Sequence, residues 1–422
     1  MGSRGPAVQL LQTALSRAGV YEDAADGVFC QSARTAVRAF QDANALTSDG
    51  IVGRDTWRAL KPYLNRTLTY AVKPGDTLSA LAARQGVTLG EVLAANPLIA
   101  DPDYIFPGLI LTLPWPGSVI TSAIAYSSEI MAANIAALQS RFGFLECSVA
   151  GASLLGRDIL YLRFGRGGVN VVYNAAHHAN EWITAPHLMR FIEQLCTAKA
   201  RGEELLGIPA NRLYDLLSLY AVPMVNPDGV DLVTGQLKPD SAAYQQAYAI
   251  RGELPFPSGW KANIRGVDLN NNYPALFEKG KEEKEKLGTN RPGPRDYTGS
   301  HALSEPESAH MVSLTNAVNP ALTIALHTQG REIYWRFESI TPPGSLRIGE
   351  AMAAASGYTL TDPPGASYGG YKDWFILAKN RPGFTVEAGQ GVNPLPIEDF
   401  EEDYKEVAPI LMAGMREILR SL

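Results

Sequence analysis

Cysteine and histidine are scarce in this sequence: 422 residues hold three Cys and six His. Cys30, Cys147 and Cys196 are odd in number and scattered, which excludes a disulfide framework and a thiolate zinc site. Free, buried thiols are expected. Long apolar runs are also missing. No stretch of about 18 apolar residues occurs, so neither a transmembrane helix nor membrane insertion is expected. The opening MGSRGPAVQLLQTALSRAG lacks the apolar core of a signal peptide. There is no basic stripe either. The formal net charge is −6, and the longest charged run, Glu278 to Lys286, mixes both signs and reads as a solvated loop or helix end. Nucleic acid is therefore not an expected partner. With 46% hydrophobic and 19% charged residues, wholesale disorder is excluded.

What is present divides into three segments, with expected boundaries at 1–66, 67–115 and 118–422. The first is helical and uses one phrase twice. Asp26-Gly27-Val28-Phe29 precedes Ala36, Val37 and Phe40, and Asp49-Gly50-Ile51-Val52-Gly53 precedes Thr56, Trp57 and Leu60. Each Asp-Gly reads as a turn, and each following run has apolar residues at helical spacing. With the run Val8, Leu11, Leu15, this predicts an all-α three-helix module.

The second segment reads strand, helix, helix, strand. Tyr70-Ala71-Val72 is a short strand and Pro74-Gly75-Asp76-Thr77 a turn and helix cap. Gly86 is a C-cap, Thr88-Leu89-Gly90-Glu91 a capping box, Asn96-Pro97 a stop, and Leu109 to Leu113 the closing strand. In the third segment, β-branched runs at 169–173, 217–225, 322–326 and 384–386 alternate with helical segments at 186–200, 304–317 and 403–421. Ser304 with Glu307 is expected to cap the second of those helices. The alternation predicts an α/β domain, its sheet buried on both faces.

The polar residues worth naming follow those strands. Val171-Val172-Tyr173 runs into His177-His178-Ala179-Asn180-Glu181, Leu322–Leu326 ends at His327, and Phe384-Thr385-Val386 ends at Glu387. Ligands of open α/β sheets bind beyond the carboxyl ends of strands. An HxxE pair alone has little specificity, but His, Glu, His and Glu delivered by three strands is the pattern of a metal site. Catalytic zinc takes three protein ligands and keeps a position open. The assignment is His178, Glu181 and His327 as ligands and Glu387 as the general base. His177 could compete for the metal, with a spacing to Glu181 one residue longer.

The stretch His178-Ala179-Asn180-Glu181-Trp182-Ile183-Thr184 resembles the zinc signature of the zinc carboxypeptidase family, of which carboxypeptidase A is a member; a His₂Glu ligand set is the family's known one. Asn226-Pro227-Asp228-Gly229, Gly266-Val267-Asp268-Leu269-Asn270 and Phe384-Thr385-Val386-Glu387 resemble further family phrases. The resemblance implies one Zn²⁺ per chain and a mixed eight-stranded sheet flanked by helices. It also shows departures. The slot of the family's carboxylate-binding Arg holds Asn271, which cannot form a bidentate charged pair. The slot of the oxyanion-stabilising Arg holds Lys261, with Arg265 as the nearest substitute. Tyr368-Gly369-Gly370-Tyr371-Lys372-Asp373-Trp374 resembles the substrate-pocket loop. There, Lys372 is expected to favour acidic substrates and Tyr368 or Tyr371 to replace a substrate-contacting Tyr whose slot is Gly365. Asn270 and Asn271 are further candidates for holding substrate.

Residues 4–63 resemble the type 1 peptidoglycan-binding domain, and residues 70–114 resemble a LysM domain. The resemblances imply peptidoglycan glycan strands and stem peptides as partners, and tethering that raises the local concentration of wall peptides. The combination resembles wall-lytic endopeptidases of spore-forming bacteria that cut the γ-D-Glu–meso-diaminopimelate bond. The expected function is therefore a zinc-dependent wall-peptide hydrolase. The alternatives are a carboxypeptidase removing the terminal residue of wall peptides and a catalytically dead wall-binding protein. The expected place of action is the bacterial wall, reached from the sporulating cell or spore, or by secretion with the signal removed. No sequence signal sets an oligomeric state.

Overall fold

A computed structural model describes residues 2–121, 124–362 and 368–421. The chain falls into two compact units, Met1–Ile124 with Glu129–Glu146 and Glu193–Glu204, and Ala125–Ser128 with Cys147–Ile192 and Leu205–Leu422.

In the first unit, helices Pro6–Arg17, Gln31–Ala43 and Arg54–Asn65 enclose a core that includes Leu11, Leu15, Val37, Phe40 and Leu60. The doubled phrase has a physical basis. Gln12 and Gln41, both buried, each clamp one Asp-Gly turn. Gln12 donates to Asp26 Oδ1 (2.8 Å) and accepts from Gly27 N–H (2.8 Å); Gln41 donates to Asp49 Oδ1 (3.1 Å) and accepts from Gly50 N–H (2.9 Å). Both glycines sit at positive φ, +74° and +71°, which side chains rarely adopt.

Strand β1 (Thr67–Ala71) pairs antiparallel with β2 (Ile110–Pro114), and helices Leu78–Gln85 and Leu89–Ala95 lie between them in sequence. The strand-helix-helix-strand order agrees with the expectation, although β1 begins three residues earlier than the strand read from the sequence. Thr77 caps the first helix, Gly86 ends it at φ +70°, and Thr88 and Glu91 form the capping box.

The second unit is built on an eight-stranded sheet. Its strands are β3 (Glu146–Ala152), β4 (Asp158–Phe164), β5 (Val169–Ala175), β6 (Leu217–Val222), β7 (Leu322–His327), β8 (Glu332–Tyr334), β9 (Thr359–Thr361) and β10 (Gly383–Glu387), in the order β9-β8-β10-β7-β5-β6-β4-β3. The central strands β10, β7, β5 and β6 are mutually parallel; β4 is antiparallel to β6, and β8 to β10. Consecutive residues of β7 are all buried, so both faces are covered, as its unbroken apolar reading implies. The mixed α/β architecture is the expected one.

Helix Pro306–Val318 starts differently from the expectation. Its N-cap is Glu305, Pro306 opens it, and Glu307 turns into the core to accept from Leu154 N–H (3.1 Å). A proline suits the first helical position because it has no N–H to leave unpaired. The charged run 278–286 forms most of helix Phe277–Lys286. All three cysteines are free, but only Cys196 is buried; Cys30 and Cys147 are half-buried.

Candidate metal centre

Parallel strands place their carboxyl ends along one edge, and the candidate residues gather there. β5 ends at Ala175, and the chain turns through Ala176 (φ +51°) into His177 and His178 and a short 3₁₀ turn, Ala179–Glu181. His327 is the last residue of β7 and Glu387 the last of β10, and the two are register partners.

Three donor atoms converge. His178 Nδ1 lies 2.9 Å from Glu181 Oε1, His327 Nδ1 lies 2.9 Å from Glu181 Oε2, and the two imidazole nitrogens are 3.0 Å apart. All three residues are buried, and the group could hold a metal ion. Three ligands, each about 2 Å from one ion, must stand roughly 3 Å apart, and two imidazoles with a carboxylate are a zinc donor set. The residues present therefore fit zinc. His177 does not join them. Its Nε2 lies 2.9 Å from Tyr273 Oη, and it is not part of the converging donor group.

The surrounding charges set the protonation of the donors. His178 Nε2 lies 3.1 Å from Asp268 Oδ1, an outer carboxylate of the kind that orients a metal-binding imidazole. Burial works against a charged His178, but Glu181 and Asp268 outweigh it and raise its pKa to about 9. Burial holds His327 below its ordinary value. Burial would raise Glu181 too, yet His178, Lys261 and His327 carry it well below the usual carboxylate range. Glu387 is pushed well upward, by burial first and then by the Glu181 charge. Lys261 Nζ lies 3.4 Å from Glu181 Oε1. Although burial acts against it, the charges of Glu181, Asp268 and Glu387 raise its pKa.

Glu387 and Lys261 line one cavity of about 480 Å³, together with Asn180, Arg295, Tyr334 and Asn393 among others. The sequence reading missed these last four. Asp268 carries no local signal of its role, because its partner His178 is 90 residues away.

Several expected site residues lie away from this cavity. Arg265 pairs with Glu305 (2.8 Å) and donates to Ser304 O (3.0 Å), so of the two candidate cations only Lys261 lines the cavity. Lys372 is buried, its Nζ donating to Arg336 O (2.8 Å) and paired with Asp373; it is a core ion pair rather than a substrate-facing charge. Tyr371 is fully buried, with its hydroxyl 2.8 Å from Thr315 Oγ1. Tyr368 packs edge-on against Phe337 beneath the Lys279 ammonium. Asn270 Oδ1 accepts from Tyr371 N–H (3.0 Å), and neither Asn270 nor Asn271 is among the residues lining the cavity. Gly365 lies outside the described residues.

The zinc carboxypeptidase family matches residues 131–409, more than half of the chain. The chain belongs to this family. The peptidoglycan binding domain matches residues 4–60 and the LysM domain residues 70–114. The chain is 41% identical over 290 residues to gamma-D-glutamyl-L-diamino acid endopeptidase 1 of Lysinibacillus sphaericus, covering 69% of this chain and 72% of that one. It is 36% identical over 293 residues to an uncharacterized protein of Bacillus subtilis, covering 69% and 77%. Among solved structures it resembles thrombin activatable fibrinolysis inhibitor, with a TM-score of 0.55 and 17% identity over 71% of this chain and 78% of that one. Carboxypeptidase A from Helicoverpa armigera gives a TM-score of 0.51 and 18% identity over 70% and 74%. These two likenesses concern the fold. This zinc carboxypeptidase-family chain is thus a metallopeptidase that carries peptidoglycan-binding modules, a composition that makes it a wall-peptide hydrolase.

Proposed function

We propose that the chain cuts the amide between γ-D-glutamate and the diamino acid of wall stem peptides, with His178, Glu181 and His327 holding zinc and Glu387 as the general base. The observation that carries the reading is the buried triangle of His178, Glu181 and His327 donors with Glu387 at the register position beside His327. The named activity of the Lysinibacillus relative supports the choice of bond.

Zinc, when bound, supplies a Lewis acid that polarises the scissile carbonyl and makes water a better nucleophile. The chain's own residues do the rest. Asp268 holds the His178 ring in one orientation through Nε2. Glu387, whose carboxyl burial raises toward neutrality, takes a proton from the attacking water and passes it to the departing amine. Lys261 reaches the same cavity and steadies negative charge on the carbonyl oxygen. The two N-terminal modules hold the enzyme on its substrate. The place of action is the wall itself.

The test is mass spectrometry of products from L-Ala-γ-D-Glu-meso-diaminopimelate, with and without a D-Ala-D-Ala extension and a zinc chelator. Zinc-dependent release of L-Ala-D-Glu from both peptides is expected. Cleavage of the unextended peptide alone would make the enzyme a carboxypeptidase.

A further inference from the structure

Among the described residues that line the reacting cavity there are two cations, Lys261 and Arg295. Lys261 is engaged with Glu181 at 3.4 Å. Arg295 is placed differently. Its Nε donates to Asp296 Oδ2 (3.0 Å), while its terminal guanidinium nitrogens make no hydrogen bond among the described residues, and its side chain is 52% exposed. Asp296 is itself shared with Lys284 Nζ (2.6 Å), which draws on the charge that would neutralise Arg295.

The backbone on either side of Arg295 is pinned to the centre. Pro294 O accepts from Lys261 N–H (2.8 Å) and Ala262 N–H (2.9 Å). Asp296 N–H donates to Asp268 Oδ2 (3.2 Å), and Tyr297 O accepts from Asp268 N–H (2.8 Å). Residues 294–297 thus form a strap tied to Lys261 at one end and to Asp268, the carboxylate against His178, at the other. The strap places Arg295 on the wall of the cavity that Glu387 also lines. A planar fork of N–H donors lining a cavity suits a carboxylate.

We propose that Arg295 is a specificity-determining residue that binds a carboxylate borne by the peptide next to the amide that is cut. The proposal rests on the wall-peptide reading above. In such a peptide the carboxylate has two sources: the α-carboxylate of γ-linked D-Glu on the acyl side, and the side-chain carboxylate of diaminopimelate on the amine side. Both present the same chemistry to the guanidinium, and substrate variants separate them.

The experiment uses the full chain loaded with zinc and three peptides. These are L-Ala-γ-D-Glu-meso-diaminopimelate-D-Ala amide, whose C-terminus is blocked, the same peptide with the D-Glu α-carboxylate also amidated, and the same peptide with L-Lys replacing diaminopimelate. Steady-state kinetics compare the unsubstituted enzyme with R295Q and R295K. Calorimetry measures binding of the same peptides to E387Q and to E387Q/R295Q. R295Q is expected to weaken the parent peptide about 30-fold, mainly through KM, with part of the loss recovered by R295K. On one of the two neutralised peptides that loss should shrink to about 3-fold or less, which identifies the carboxylate that is read. An equal loss on all three peptides would mean a structural role and overturn the proposal, as would no loss on the parent. If the unsubstituted enzyme binds but does not cut these peptides, the cleavage reading fails alone, and the calorimetric comparison still decides for or against Arg295. If E387Q binds none of them, both fall.

Discussion

Asp268 Oδ1 stands 3.1 Å from Nε2 of His178, on the far side of the ring from the Nδ1 atom that faces Glu181. The imidazole is held between two carboxylates, one in the donor triangle and one behind it. Asp268 is itself fixed, because its Oδ2 accepts from Asp296 N–H. Losing such an outer carboxylate typically weakens metal binding about 10–100-fold. Asp268→Asn should therefore raise the zinc dissociation constant by that factor, read by competition with a chromogenic chelator. An unchanged affinity would remove Asp268 from the metal centre.

Glu387→Gln keeps the shape of the side chain and removes its proton acceptor. Turnover of wall peptides should fall about 10²–10⁴-fold. Zinc content, measured by elemental analysis, should stay at one per chain, because Glu387 is outside the donor triangle. Loss of the metal together with activity would place Glu387 among the ligands instead.

Lys372 is buried against Asp373 and the Arg336 carbonyl, so its removal should damage the fold rather than the substrate preference. Breaking one partner of a buried pair costs about 3–5 kcal/mol. Lys372→Met should lose that much in denaturant unfolding, with part restored in Lys372→Met/Asp373→Leu. The ratio of kcat/KM between acidic and neutral peptides should not move. A changed ratio would return Lys372 to the substrate pocket.

His187 supplies an acid-sensitive element. Its ring is fully buried and packs on Phe400 with centroids 4.9 Å apart. Burial is the chief cause that lowers its pKa to about 3, with the Arg190 charge adding to it. The native state therefore holds it neutral, whereas the unfolded chain protonates it near pH 6.5. Stability is intact above that value and is lost as pH falls toward 3, by about 1.4 kcal/mol per unit. Between pH 7.5 and 5.0 this removes roughly 2 kcal/mol. His187→Leu should shrink the pH dependence by that amount in chelator-treated protein, where metal release does not contribute. An unaltered dependence would assign the acid sensitivity to other groups.

Much of this molecule was legible because its signals are local. The Thr88–Glu91 capping box, the C-cap at Gly86 and the doubled Asp-Gly turns each involve residues a few positions apart, where backbone geometry dictates the residue type. The metal-binding residues were legible for a related reason. Apolar strands must bury both faces, so polar residues directly after them mark the sheet edge. His178, Glu181, His327 and Glu387 are such residues.

The roles that needed correction belong to long or amphipathic side chains whose ends travel far from their Cα. Lys261 and Arg265 are four residues apart and equivalent in charge, yet one meets Glu181 and the other Glu305. Lys372 and Tyr371 carry polar tips that the core satisfies internally, through Asp373 and Thr315. The modules, the strand ends and the donor types could be read from residue order, since these follow from spacing and burial. Which carboxylate backs His178, which cation enters the cavity and where Arg295 stands depend on the folded arrangement. Those pairings join residues tens of positions apart, and packing alone brings them within reach.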